Sequence, residues 1–359
     1  MTLTTMKNGF LPNTNKNNRT KFNKILIATS NSGKICLNQA CKISGVYRHS
    51  KSIFKQFNEF TLPDIESFSL DSGLKFLKEL KQKLHLKHIK LACDETDVAY
   101  YGDYENFYIQ PSDKKKAGAK GYYKYLTIST TNRNCKIAIF TMLLAPGYNT
   151  EQILPDILDE IQKIIIIKQI TFDRGFEKYV LFDYLQKRKI KYLAFLKSNN
   201  VHSETLNEMH EGEFKTICRE RKYSKDKSTH RVRLKFVYLK DHYYSRDKFK
   251  NDWIFVTNMS FGSASRIVTS YKNRWGIETL FRVVKDSFLI KTTSTNPIIR
   301  ATCMFFSMYH YNLWQYAKAT ISARITAVAF IQTIIYGFKQ KFSLKYAYED
   351  KILEVFGLT

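Results

Sequence analysis

The segment Ile164-Ile165-Ile166-Ile167-Lys168-Gln169-Ile170-Thr171-Phe172-Asp173-Arg174-Gly175-Phe176 is a strongly apolar run that stops at a carboxylate and a glycine. Its length, its β-branched content and the turn signal behind it predict a buried strand over Ile164–Phe172 with Asp173 at its end. On either side the pattern changes period. Ile153, Ile157 and Ile161 recur at helical spacing over 150–163, and a second helix over Phe176–Lys187 leads to a short strand over Lys191–Leu196. Upstream, β-type runs cover Ile89–Cys93, Gly121–Thr131 and Lys136–Leu144. Three strands, a crossover helix, a buried strand, then helix and strand again predict an α/β fold with a mixed sheet and helices on its faces.

Further out, Leu74, Phe76, Leu77, Leu80 and Leu84 mark a core-facing helix within 64–88. Two short helices around a turn near Ser44-Gly45 are compatible with a helix-turn-helix, and equally with a small helical cap. Residues 200–260 break the α/β rhythm with alternating segments such as Val232-Arg233-Leu234-Lys235-Phe236-Val237-Tyr238, and read as a β-rich insertion. A helix is expected from about Ser263 to Phe288, and a mostly helical region from Pro297 to Gly357. The expected division is a basic helical, DNA-binding region (1–88), a first core part (89–199), the insertion (200–260), a second core part (261–292) and a helical C-terminal region (293–359).

The charge points to the partner. With 58 Lys+Arg against 32 Asp+Glu, the 359-residue chain carries +26, and its 44% hydrophobic content is enough for a folded core. A body so basic attracts polyanions, because neutralising phosphates releases condensed counterions, so nucleic acid is the expected partner. From Arg221 to Lys250 basic residues alternate with Tyr223, Tyr238, Tyr243 and Tyr244, a pattern suited to phosphates and bases, or to an edge strand that its lysines keep from aggregating. The six cysteines form no Cys-x-x-Cys pair, and His85-x-x-His88 has no cysteine partners, so neither a disulfide framework nor a zinc site is legible. The Asn-, Thr- and Lys-rich N-terminus has no signal-peptide core, and the apolar stretch Ile325–Phe338 is too short to span a bilayer. An intracellular protein without a membrane partner is expected.

Acids inside a basic field are informative, because a dication held by carboxylates can stabilise both the entering and the leaving oxygen of a phosphodiester. Asp94 follows the strand over Ile89–Cys93, and Asp173 follows the Ile164–Phe172 strand; such positions at a sheet rim suit ligand binding, although Asp173 is equally placed to cap the next helix. In Tyr271-Lys272-Asn273-Arg274-Trp275-Gly276-Ile277-Glu278-Thr279-Leu280-Phe281-Arg282-Val283-Val284-Lys285, a single helix puts Tyr271, Arg274, Glu278 and Lys285 on one face. That face offers one carboxylate for a metal, with two cations and a phenol for phosphate oxygens. The plain alternative is a surface Arg274–Glu278 pair.

This spacing, Tyr-(2)-Arg-(3)-Glu-(6)-Lys, resembles the signature of the DDE transposases of bacterial and archaeal insertion sequences, in the insertion sequence 4 superfamily; Asp94-x-Thr96 and Phe172-Asp173-Arg174-Gly175 resemble that family's two Asp motifs. The resemblance covers about Ile89 to Phe288. It implies a ribonuclease-H-like core, with Asp94, Asp173 and Glu278 as catalytic residues binding Mg²⁺, for which Mn²⁺ substitutes. It also implies that Tyr271, Arg274 and Lys285 hold phosphates of double-stranded DNA, namely the transposon's terminal inverted repeats and the target, and that Trp253 stacks on a flipped base. Trp275 is a competing aromatic whose place beside Arg274 suits helix packing. The resemblance further implies a homodimer in a synaptic complex and a prokaryotic, nucleoid-associated location. A stand-alone nuclease of the same fold, or a non-catalytic DNA-binding derivative, are the alternatives.

Overall fold

The computed structural model describes residues 25–341 except 27, 31–32, 34, 45–48, 104–105, 112–115, 134, 226–227 and 244–249. The basic arm before residue 25 and the last residues after 341 lie outside the described residues, as does Arg48. In chain order the elements are α1 (Leu37–Ser44), α2 (Ser50–Phe57), α3 (Leu62–Lys83), β1 (His88–Tyr100), β2 (Gly121–Thr130), β3 (Ala138–Leu143), α4 (Thr150–Ile164), β4 (Ile166–Phe172), α5 (Tyr179–Lys187) and β5 (Tyr192–Phe195). There follow α6 (Asn200–Asn207), β6 (Phe214–Lys225), β7 (Ser228–Tyr243), β8 (Lys250–Thr257), α7 (Ala264–Lys272), α8 (Trp275–Val283), a π-helical turn (Val284–Phe288), α9 (Pro297–Thr320) and α10 (Ala327–Lys341).

The eight strands among the described residues form one mixed sheet in the order β3-β2-β1-β4-β5-β8-β7-β6. The strands β1, β4 and β5 run parallel, and every other neighbour pair is antiparallel. The α/β sheet with flanking helices expected from periodicity is therefore present. Its helices begin where local chemistry starts them: α3 opens on a capping box in which Thr61 and Asp64 exchange hydrogen bonds, with Pro63 in the first turn.

The β3 edge is sealed by two helices. Asn312 of α9 accepts the Ala138 N–H at 2.8 Å and donates to the Ala138 carbonyl at 2.7 Å, while Ser69 of α3 accepts the Thr141 N–H at 2.8 Å. These bonds satisfy backbone groups that an edge strand otherwise leaves open. The approach needs Gly73, because a Cβ there would stand 1.9 Å from the Ile139 carbonyl oxygen. Helix α9 is consequently buried on nearly every side, with Phe306 stacked on Phe57 and Tyr309 edge-on to Phe76.

At the other end β6 is the free edge. The hairpin of β6 and β7 splits its basic residues by strand alternation. Lys222, Arg231 and Arg233 point outward, whereas Arg219 donates to Thr205 and Arg221 lies 5.2 Å over the Phe236 ring. Among the described residues of this hairpin, therefore, only part of the basic and aromatic pattern meets solvent. The strands β8, β7 and β6 extend the main sheet beyond β5, and their far side carries a separate core of Leu193, Phe195, Val237, Leu239, Trp253 and Phe255 beneath α7. Among the described residues no helix is long and apolar enough to cross a membrane.

Candidate active site

The site begins where two parallel strands part. Pairing between β1 and β4 ends at Cys93↔Phe172, so the next residues, Asp94 and Asp173, leave adjacent strands side by side. The expectation that the first strand ends before Asp94 is corrected. β1 runs on to Tyr100, paired throughout with β2, and Asp94 lies opposite Thr127. Antiparallel pairing with β2 holds the polar run Asp94-Glu95-Thr96-Asp97 extended.

The expected single helix over the third motif is also interrupted. α7 ends at Lys272 and α8 starts at Trp275, and between them the N–H groups of Arg274, Gly276 and Ile277 bond to carbonyls three residues back. At three residues per turn, side chains at i and i+3 eclipse. Tyr271 and Arg274 therefore meet, with Arg274 Nε donating to the Tyr271 hydroxyl at 3.0 Å. The return to 3.6 residues per turn then places Glu278 one turn beyond Arg274, its Oε1 2.5 Å from Nη2. α7 is anchored through Tyr271 itself, whose ring meets Phe195, Phe255 and Trp253. Burying such a ring contributes about 1.5–3 kcal/mol.

These elements converge on one guanidinium. Arg274 is 6% exposed. Its Nη1 lies 2.8 Å from Asp94 Oδ2 and 3.7 Å from Asp173 Oδ2, and Tyr271 completes the ring of contacts by donating to Asp173 Oδ1 at 2.9 Å. Asp94, Asp173 and Glu278 are thus brought together around Arg274. Burial pushes the Asp94 carboxyl up to about 7; Arg274 draws it down, and the charges of Asp173 and Glu278 add to the rise. Burial disfavours the Arg274 charge, but the carboxylates of Asp173, Asp94 and Glu278 outweigh it and hold the guanidinium protonated. Burial likewise keeps the Tyr271 phenol protonated, which suits a hydrogen-bonding role better than that of a nucleophile.

The remaining residues are placed differently. Lys285 sits seven residues past Glu278, half-buried, on the π-helical turn that Leu289 N–H closes onto the Val284 carbonyl at 2.7 Å. Trp253 is 8% exposed, stacked near Phe255 and tilted against Phe195, so in this arrangement it is a core residue and not the open stacking surface expected of it. Trp275, expected to pack, is 46% exposed beside Arg274. Sequence reasoning also missed Arg174, whose guanidinium stands 4.2 Å over Phe195 at a cavity of about 210 Å³ also lined by Ser198, Asn207 and Asp252. Its only signal was its place directly after Asp173.

The donor set suits a hard divalent cation, being three carboxylates from separate elements. Among the described residues, however, no three His, Cys, Asp or Glu side chains stand close enough together to hold a metal ion as placed. The acids are spaced around a guanidinium.

Residues 85–310 match the family described as transposase DDE domain. Among solved structures, the chain is similar to a piggyBac transposase in a synaptic complex with hairpin DNA, at 14% identity and a TM-score of 0.52, covering 95% of this chain and 76% of that one. It is also matched to a Drosophila P element transposase strand transfer complex at 13% identity, with a TM-score of 0.27 over 53% of this chain and 39% of that one. A Mos1 transposase paired-end complex with the left transposon end is matched at 12% identity, with a TM-score of 0.20 over 43% and 52%. No curated protein matches the chain. At that identity the piggyBac likeness is one of fold, and the mixed sheet with its flanking helices agrees with the expected ribonuclease-H-like core.

Proposed function

The chain belongs to the transposase DDE domain family and is a DDE transposase, an enzyme of DNA cleavage and strand transfer, and from that premise we propose that Asp94, Asp173 and Glu278 are its catalytic carboxylates. The observation that carries the assignment is the convergence of β1, β4 and α8 on Arg274, which gathers three acids that lie far apart in the chain. These three would hold two Mg²⁺ ions, with Mn²⁺ substituting. When bound, such ions supply the positive charge that stabilises the entering and leaving oxygens of phosphodiester hydrolysis and of transesterification.

The chain's own residues do the rest. Tyr271 fixes the Asp173 carboxylate by donating to Oδ1, and so sets which Asp173 oxygen faces the site. Arg274 and Lys285 hold phosphates of the transposon end, for which a guanidinium offers a fork and an ammonium a point charge. Trp253, at 8% exposure, meets a flipped base only if its aromatic cluster opens. The partner is double-stranded DNA: the terminal inverted repeats are cut and the freed 3′-hydroxyl is joined to target DNA by a homodimer pairing two ends. The net charge of +26 supports that substrate class. The Tyr-(2)-Arg-(3)-Glu-(6)-Lys spacing supports membership of the insertion sequence 4 group, with a prokaryotic host and a nucleoid location.

The test is Mg²⁺-dependent nicking of duplex carrying the sequences that flank the gene. Asp94→Asn, Asp173→Asn and Glu278→Gln should each reduce nicking to background while gel-shift binding persists. Nicking that survives in any one of them removes that residue from the assignment. Joining of a pre-cut 3′-hydroxyl end to plasmid separates a transposase from a nuclease that only cuts.

A further inference from the structure

Arg274 stands where a cation belongs. One guanidinium, 6% exposed, bridges Asp94 at 2.8 Å, Asp173 at 3.7 Å and Glu278 at 2.5 Å, and Tyr271 holds its Nε at 3.0 Å. All three nitrogens of the fork donate inside the site, so three of the five N–H groups are committed to Tyr271, Asp94 and Glu278 while the side chain stays in its present place. A carboxylate ligand stands about 2.0–2.1 Å from Mg²⁺. Drawing Asp94 and Asp173 onto a shared ion therefore requires the guanidinium between them to leave, and two cations in one small, partly buried space repel.

From this mutual exclusion we infer that Arg274 is an internal counter-cation that closes the acidic site until a DNA phosphate draws it out, which makes divalent-cation binding conditional on DNA. The inference rests on the reading of Asp94, Asp173 and Glu278 as metal ligands. Its physical logic is an exchange of partners. A lone buried guanidinium does not abandon three carboxylates, because removing one partner from a buried ionic cluster leaves the others uncompensated. A phosphodiester gives it a bidentate acceptor, and an incoming dication gives the carboxylates a replacement. Each exchange makes the other favourable, so DNA and metal bind with positive coupling. The helix break aids the movement: Arg274 lies at the junction of α7 and α8, in a turn of i to i+3 bonds and not within a full helix.

The experiment is a titration of the full-length protein with Mn²⁺ alone, without DNA, by calorimetry and by the Mn²⁺-dependent rise in melting temperature. Arg274→Gln should bind Mn²⁺ at least about tenfold more tightly than wild type, within the usual range of coupling between sites. Arg274→Lys keeps a cation and should stay near wild type. If Arg274→Gln is loosely folded without metal, Mn²⁺ should raise its melting temperature by more than it raises that of wild type. Equal affinity in wild type and Arg274→Gln overturns the gate, as does Arg274→Lys behaving like Arg274→Gln, which would mean a packing role alone. Asp94→Asn added to Arg274→Gln separates the two readings. Loss of the gained affinity places the ion at the carboxylates, whereas a gain that persists shows the ion elsewhere and removes both the gate and the assigned ligands.

Discussion

At the scale of single residues, the site depends on side chains whose charge is set by their surroundings. Arg274 remains protonated among acids, and Tyr271 keeps its proton to donate to Asp173. His202 offers a separate check on the folded state. It is buried in α6, with Nδ1 2.9 Å from the Tyr238 hydroxyl, and burial lowers its pKa from 6.5 to about 4, with Arg219 and Arg221 adding to the fall. Between pH 6.5 and 4 the unfolded chain takes up a proton that the folded chain refuses, so His202 makes stability fall as pH drops through that window and level off below it. The total is on the order of 3 kcal/mol. His202→Gln should flatten the dependence of melting temperature on pH between 6.5 and 4; an unchanged slope would mean that the ring is already charged when folded.

Elements decide how rigidly the site is held. Helix α3 lies on the edge strand β3 only because residue 73 has no side chain. Gly73→Ala would force backbone apart from backbone, an overpacking cost of about 3 kcal/mol or more, and would disturb the Ser69 and Asn312 bonds that seal the edge. Urea unfolding should show this loss, and a change under about 0.5 kcal/mol would mean that α3 does not press on β3 in solution. The π-helical turn after α8 is a second such device. Its geometry comes from packing, since Phe288 meets Tyr311 and Trp314 of α9 while a Cβ at Gly33 would collide with the Ser287 carbonyl at 2.0 Å. No local propensity announces a wider helical turn, which is why the stretch up to Phe288 read as ordinary helix.

For the whole molecule, charge governs encounter with DNA and the sheet governs where the chemistry sits. Affinity for duplex should fall steeply with salt, and Lys285→Ala should make the slope of log K against log salt shallower by about 0.9, the loss of one phosphate contact. A slope identical to wild type would take Lys285 away from the phosphates. The extended sheet has a structural role in this: β8 and β5 form the floor on which α7 carries Tyr271 across to Asp173, so strands well outside the carboxylate-bearing pair set the geometry of the site.

The order of elements was readable because periodicity is local. The apolar run before Asp173, the alternation in β7 and the helical spacing in α4 each depend on neighbours a few residues away, and the Tyr271 to Lys285 spacing carried the functional resemblance. Exposure and convergence were not readable. Trp253 and Trp275 exchange their expected places because burial depends on what another part of the chain lays over them, here α7 over β8. Asp94 continues a strand where composition suggested a stop, because β2 pairs with it from some thirty residues away. The sequence by itself determined which acids and bases are present and on which kind of element. Only the tertiary structure decided that Arg274 stands among the acids, because that position is a balance of burial, charge and hydrogen bonding contributed by β1, β4, α7 and α8 together.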